Sequence, residues 1–354
     1  MKRICVIGAG LFGTTAAVRL ARAGHKVDLV ERNDGILLGA SKNNHNRIHM
    51  GYHYLRSIQT ARDSIQGLAT FTELFRDAVR AELTNYYAIA AEGSKTSPER
   101  FEEFCQIVKI RFRREQPPAY LMNPEAIAAC YCVPEPVFDY PMMRSVVLRE
   151  LTDSTAIVHL RSEVNTIQMH GDLFHVRTTD FDRDYDVVIN ASYSELNRIN
   201  RLVGAAVRTY RYEDVVVPVF RFAHPPFGLT VMDGEFCSVM PRGFRVGEFL
   251  LYHVKYSVLK EKLDVDSYDS LMPWDNDSTL FHAASFFMPF LADCTSFDRY
   301  RSIRITWENT DDARRSVIYD DIPNYWSVLS GKVTTCVDVA EELVAAVGDS
   351  SRGL

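Results

Sequence analysis

Nowhere in this 354-residue chain is there an apolar run of about 18 residues, so it reads as a protein with no stable membrane insertion. Positive charge is not in excess either. Forty Lys and Arg stand against 46 Asp and Glu, a formal charge of -6. That balance offers no electrostatic footprint for nucleic acid or anionic lipid and directs the search toward a small-molecule substrate. Internal repeats and low-complexity tracts are absent. Cysteine is present without a framework: seven residues, an odd number, with Cys130-x-Cys132 as the closest pair and no paired metal-ligand spacing. Free thiols in core and loop positions, and hence a reducing, cytoplasmic setting, are the expectation.

What is present begins at the N-terminus. Ile4 to Ile7 reads as a buried strand, Gly8-Ala9-Gly10-Leu11-Phe12-Gly13 as a tight turn, Thr14 to Ala23 as a helix, and Lys26 to Val30 as a second strand ending in Glu31. This is the dinucleotide-binding βαβ pattern. Gly8 permits the sharp turn, Gly10 lets backbone approach a pyrophosphate, and Gly13 lets helix and sheet pack closely, so the diphosphate rests on the positive helix N-terminus. Glu31 lies where a carboxylate accepts ribose hydroxyls and repels a 2′-phosphate, which favours FAD or NAD over NADP. No second G-x-G-x-x-G and no Cys-x-x-x-x-Cys is found, so neither an internal NADPH site nor a redox disulfide is expected.

Helical spacing of Ile65, Leu68, Phe71, Leu74, Phe75 and Ala78 predicts a helix over 60–79, and Ser97-Pro98-Glu99-Arg100 opens another that runs to Lys109. Tyr86 to Ala91 reads as a strand, while Pro117-Pro118, Pro134, Pro136 and Pro141 mark irregular connections. Short strands begin at Ala156, and Tyr185 to Ser192 closes them with an apolar strand running into small residues. Val215–Phe222, Gly228–Val231, Phe236–Met240 and Glu248–Tyr256 suggest an antiparallel sheet with an Asp233-Gly234 turn. Tyr325–Leu329, Gly331-Lys332-Val333-Thr334-Thr335 and Val337–Val347 form a last strand, turn and helix.

Two further segments carry chemistry. Gly39 to Arg56 is rich in His, Asn, Tyr and Arg, a poor apolar element but a good lining for a polar ligand, and Ile48, Tyr52 and Tyr54 argue that it is partly buried. Gly331 to Thr335 opens a helix, whose unpaired N–H groups stabilise an anion. A plain strand-turn-helix with Thr334 as its cap explains that loop equally well on its own.

Together these segments resemble the glutathione-reductase-like FAD oxidoreductases and, within them, the D-amino-acid-oxidase superfamily of glycine and sarcosine oxidases, glycerol-3-phosphate dehydrogenase and 2-hydroxyglutarate dehydrogenase. Ser41 to Tyr54 is similar to that family's Ser-rich stretch followed by Ile-His-x-Gly-x-x-Tyr. Gly331-Lys332-x-Thr334-Thr335 is similar to Gly-Lys-x-Thr-Thr of the glycerol-3-phosphate dehydrogenases. Asp186 to Ser192 resembles the strand that ends beside the FAD, although Ser192 and Tyr193 replace the usual glycine.

The resemblance implies an α/β fold: a discontinuous Rossmann-type FAD-binding domain (1–85, 150–204 and 300–354) with an inserted antiparallel α+β substrate domain (86–149 and 205–299). It implies FAD contacts from Gly8, Gly10 and Gly13 to the diphosphate and from Glu31 to the ribose, with Leu11, Phe12, Arg32 and Asn46 alongside. Ser41 and Asn44 would meet the diphosphate or ribityl chain, Val164 the adenine, and Ala191 and Ser192 the flavin side. His49 and Gly331, Lys332, Val333, Thr334 and Thr335 would meet the isoalloxazine. The implied activity is oxidation of a C–N or C–O bond of a small polar substrate (an amino acid, amine, hydroxy acid or sugar derivative) by hydride transfer to flavin N5. Candidate catalytic and substrate-binding residues are His49, Arg56, His253 and Arg315, with Arg314 beside the last. Tyr252 and His253 lie on opposite faces of one strand, so at most one meets the flavin. Alternative readings are non-redox flavin chemistry on a nucleotide sugar, as in the galactopyranose mutases, and a module that binds a nucleotide without catalysis.

Overall fold

A computed structural model of the chain describes residues 1–274, 276–308 and 314–349. Its N-terminal unit is β1 (Arg3–Ile7), α1 (Leu11–Arg22) and β2 (Lys26–Val30), with β1 and β2 paired in parallel. Strand β1 is apolar on both faces because both are covered, as parallel sheets require. It sits inside a six-stranded sheet. In order across the sheet the strands are Val317–Ile322, Tyr325–Leu329, Val187–Asn190, β1, β2 and Ile157–His159. Only the edge strand Val317–Ile322 runs antiparallel to its neighbour. Leu20, Val27, Ile189, Leu343 and Val347 belong to one core around α1, into which the helix Tyr140–Thr152 also packs through Met143 and Val147.

That helix differs from the irregular connection expected there. Asp139 caps it, its carboxylate accepting from Met142 N at 3.0 Å, and Pro141 occupies the first turn, where a missing N–H costs nothing. The expected helix at 60–79 spans Ile58–Leu74, succeeded by one 3₁₀ turn, and Ser97 caps Pro98–Val108 as its sequence implies, accepting from Arg100 N at 3.3 Å.

The second layer is a nine-stranded, mainly antiparallel sheet built from residues 84–133 and 210–306. Two registers in it shape the cleft between the layers. Thr84–Ala90 lies parallel to Phe227–Met232, which sets Tyr87 beside Thr230. The long strand Tyr210–Arg221 pairs with Ser296–Thr306, which sets Glu213 beside Arg304. A small three-stranded sheet (Val164–His170, Leu173–Thr178, Asp182–Tyr185) is hydrogen-bonded to neither and packs through Phe174 and Val176 on Cys5, Ile7 and Val188 of the six-stranded sheet. No helix among the described residues is long and apolar enough to cross a membrane.

Candidate active site

A cavity of about 1220 Å³ runs from the carboxyl end of β2, past the N-terminus of α1, to the inner face of the nine-stranded sheet. It exceeds the roughly 300–1,000 Å³ of a single-ligand pocket, as a cleft holding both a dinucleotide and a substrate must.

The turn at residues 8–13 is built as its glycines suggest. Gly8 has φ +101°, and a Cβ on it would lie 2.8 Å from the Ala191 carbonyl oxygen. A Cβ on Gly13 would overlap the Gly8 carbonyl, so this glycine serves packing and does not line the cavity. Gly10 is different: a Cβ there meets only Ser41 Oγ, at 3.6 Å, and would project into the space a pyrophosphate takes. No acidic residue occupies the first turn of α1, so its positive end is left for a ligand anion. The Glu31 carboxylate accepts from Ala9 N (2.8 Å) and Asn33 N (2.9 Å), fixed at the mouth beside Arg32 and Val164. Ser41 Oγ accepts from Leu11 N at 3.0 Å. The Asn44 side chain closes its own turn, donating to Ala40 O and accepting from Asn46 N, while the residue still lines the cavity. Leu11, Phe12, Ala191 and Ser192 complete this end. These residues fit FAD.

The far end is lined by His45, His49, His53, Tyr54, Tyr252, Arg304, Arg314 and the Gly331 to Val333 loop. Two close approaches hold the loop. A Cβ on Gly67 would sit 2.8 Å from Thr334 O, and one on Gly331 would overlap the Arg314 carbonyl. Lys332 is buried, its ammonium 3.9 Å from the centre of the Tyr54 ring, and burial brings its pKa down to about 7. Burial, reinforced by Lys332, Arg47 and Arg314, holds the His49 imidazole well below the usual histidine range.

Several expected site residues lie elsewhere. Asn46 is buried behind the cavity wall, its left-handed backbone (φ +55°) pinned by Phe138 N donating to its carbonyl at 2.9 Å. Thr334 and Thr335 turn inward, Thr335 Oγ1 bonding Lys332 O and Ser316 Oγ. Strand alternation aims Tyr252 into the cavity and His253 into the opposite face, where its Nδ1 accepts from Lys255 N at 3.2 Å. Arg315 is exposed and 3.8 Å from Asp63. Arg56 lines the rim, but Asp233 holds its guanidinium in a two-point ion pair at 2.7 and 2.9 Å.

Other polar groups at this end of the cavity escape sequence reasoning. Glu135 is fully buried beneath the histidines; it accepts from Tyr87 OH (2.5 Å) and Met50 N (3.0 Å) and lies 3.6 Å from Arg47 Nε and 3.8 Å from His49 Nδ1. Arg47 also donates to Thr230 Oγ1 at 2.5 Å and contacts His53 Nε2. The signal the sequence does carry is an acid in an otherwise apolar stretch, Pro134-Glu135-Pro136. On the opposite wall Arg304 is paired with Glu213 and donates to Tyr252 OH at 3.0 Å. Arg314, by contrast, makes no hydrogen bond and no ion pair within 4 Å among the described residues; burial together with Arg304 disfavours its charge, and the Glu213 carboxylate, paired with Arg304, opposes them only in part.

His45, His49 and His53 are half-buried with lowered pKa values, that of His45 falling to about 3, in each case chiefly through desolvation. The unfolded chain therefore binds more protons than the native one below pH 6.5, so stability is fully present above that pH and falls as pH drops. Urea unfolding at pH 7.5 and 5.5 should show a loss of up to about 4 kcal/mol between the two values if all three stay neutral; equal stability at the two values would mean that the histidines protonate in the native state.

The family model for FAD-dependent oxidoreductases, DAO, matches residues 3–354. Over a 386-position alignment the chain is 26% identical to the FAD-dependent monooxygenase kojA of Aspergillus flavus, covering 99% of this chain and 86% of that one. Among solved structures it shares its fold with L-alpha-glycerophosphate oxidase from Mycoplasma pneumoniae with FAD bound (TM-score 0.80, 17% identity, 98% and 94% of the two chains). Glycine oxidase from Geobacillus kaustophilus shares it too (TM-score 0.77, 14% identity, 99% and 95%). A match over nearly the whole length, on a chain whose turn and cleft suit the dinucleotide, means that this protein belongs to the DAO family and is an FAD-dependent oxidoreductase.

Proposed function

We propose that the enzyme oxidises the C–N or C–O bond of a small substrate bearing an acid group, an amino or hydroxy acid. The observation that carries this reading is Arg314: a cavity-lining guanidinium with no hydrogen bond or ion pair within 4 Å among the described residues, its anionic neighbour Glu213 being paired with Arg304, and close enough to His49 to depress its pKa. An incoming carboxylate or phosphate would supply a partner at contact distance and meet the guanidinium fork with two bonds. The names of the structural neighbours agree, since glycine and glycerophosphate carry such groups. When bound, FAD supplies the two-electron acceptor for the substrate's hydride. His49, kept neutral, takes the proton from the substrate amine or hydroxyl, and the Glu135 carboxylate beneath it stabilises the imidazolium that results. On this reading the FAD contacts are those of residues 8–12 in the glycine turn, Glu31, Arg32, Ser41, Val164, Ala191, Ser192 and the 331–333 loop.

Anaerobic mixing of the purified flavoenzyme with a panel of amino acids, hydroxy acids and uncharged polyols tests it. Bleaching of the flavin's visible absorbance by an acid-bearing member alone is expected. Bleaching only by uncharged polyols, or only after chemical reduction, would overturn the proposal. His49→Asn should slow that reduction by roughly 10²–10⁴-fold with FAD content unchanged. Because the His49 pKa is lowered, its basic form persists as pH falls, so the wild-type rate should hold through pH 6.5 rather than halve there.

A further inference from the structure

Away from the cavity, the small three-stranded sheet presents one face to solvent while Ile167, Phe174 and Val176 bury the other. On the open face the registers set His175 opposite Asp184 and, at the hairpin end, Leu173 opposite His170. His170, His175 and Asp184 thereby bring one ligand atom each within 4.8 Å of one another, the only such cluster among the described residues. The two imidazoles lie 4.7 Å apart with their planes 17° from parallel. None of the three lines the FAD cavity.

We propose that this face binds a divalent transition-metal ion, Zn²⁺ in the first instance, through His170, His175 and Asp184. In a tetrahedral zinc site, ligand atoms about 2.0–2.1 Å from the metal stand about 3.3 Å from each other. His175 Nδ1 and Asp184 Oδ1 are 2.8 Å apart, so small side-chain rotations suffice to admit the ion. The outer partner is already in place: Nε2 of His175 contacts the Asp182 carboxylate, which orients the ring, as carboxylates behind metal-bound histidines do. Imidazole donors favour zinc, nickel or copper over calcium or magnesium. The metal takes Nδ1 in its unprotonated form, any proton held there being released to solvent, and solvent water fills the remaining coordination position. The ion would cross-link all three strands.

Calorimetric titration of the FAD-loaded enzyme with ZnCl₂ tests the site, with bound metal quantified after dialysis. One Zn²⁺ per chain with a Kd of about 10 µM or tighter is expected at pH 7.5, with weaker binding at pH 5.5. His170→Ala and Asp184→Asn, both at solvent-facing positions, should each weaken binding at least about tenfold while the flavin spectrum stays unchanged. Zinc should also raise the Tm of the wild type more than that of either variant. Absence of stoichiometric binding, or equal affinity in wild type and His170→Ala, would overturn the proposal and leave His175 as a histidine held by two carboxylates.

Discussion

Gly10→Val should give a folded protein without FAD. The backbone at Gly10 is extended (φ -71°, ψ 179°), which valine accepts, and nothing but Ser41 Oγ lies within 4 Å of the added Cβ. The new side chain therefore costs the fold little and occupies the space from which backbone N–H groups would meet the pyrophosphate. FAD affinity should drop by at least about 100-fold, near 2.7 kcal/mol. Cofactor content after gel filtration, with circular dichroism to confirm folding, measures it. Gly13→Val is the contrasting case: its Cβ overlaps the Gly8 carbonyl, so the folded protein itself should be lost. Full FAD occupancy in folded Gly10→Val would make the turn purely structural.

Arg314→Ala is expected to remove substrate binding and leave the flavin in place. Truncating one member of a buried charge pair costs about 2–5 kcal/mol, so kcat/KM for the acid-bearing substrate should fall at least about 30-fold. Arg314→Lys should fall between, keeping charge but not the fork. Arg56→Ala and Arg315→Ala serve as controls. Their guanidiniums answer to Asp233 and Asp63, and partly exposed pairs of this kind contribute about 0–1 kcal/mol. Unchanged kinetics in Arg314→Ala beside a large loss in Arg56→Ala would reassign the anion site to the rim.

The sequence by itself determined the nucleotide end. Glycine spacing, the strand-helix-strand periods and the acid at position 31 act over neighbouring residues, and the Ser97 cap and the Asp233-Gly234 turn, with Asp233 at φ +71°, are equally local. Local signals mislead where one residue type has two uses. Pro141 reads as a break, although a proline in a first turn behind Asp139 begins a helix.

Tertiary structure alone decided the far end of the cavity. Arg47, Tyr87, Glu135 and Thr230 meet because two strands pair in one register, and a slip of one residue would turn Tyr87 and Thr230 to opposite faces. Arg314 and Arg315 are adjacent and chemically identical, yet one lines the cavity and the other is exposed. No local pattern separates the two, and only the surfaces packed against residues 314–315 decide which side chain faces the cavity.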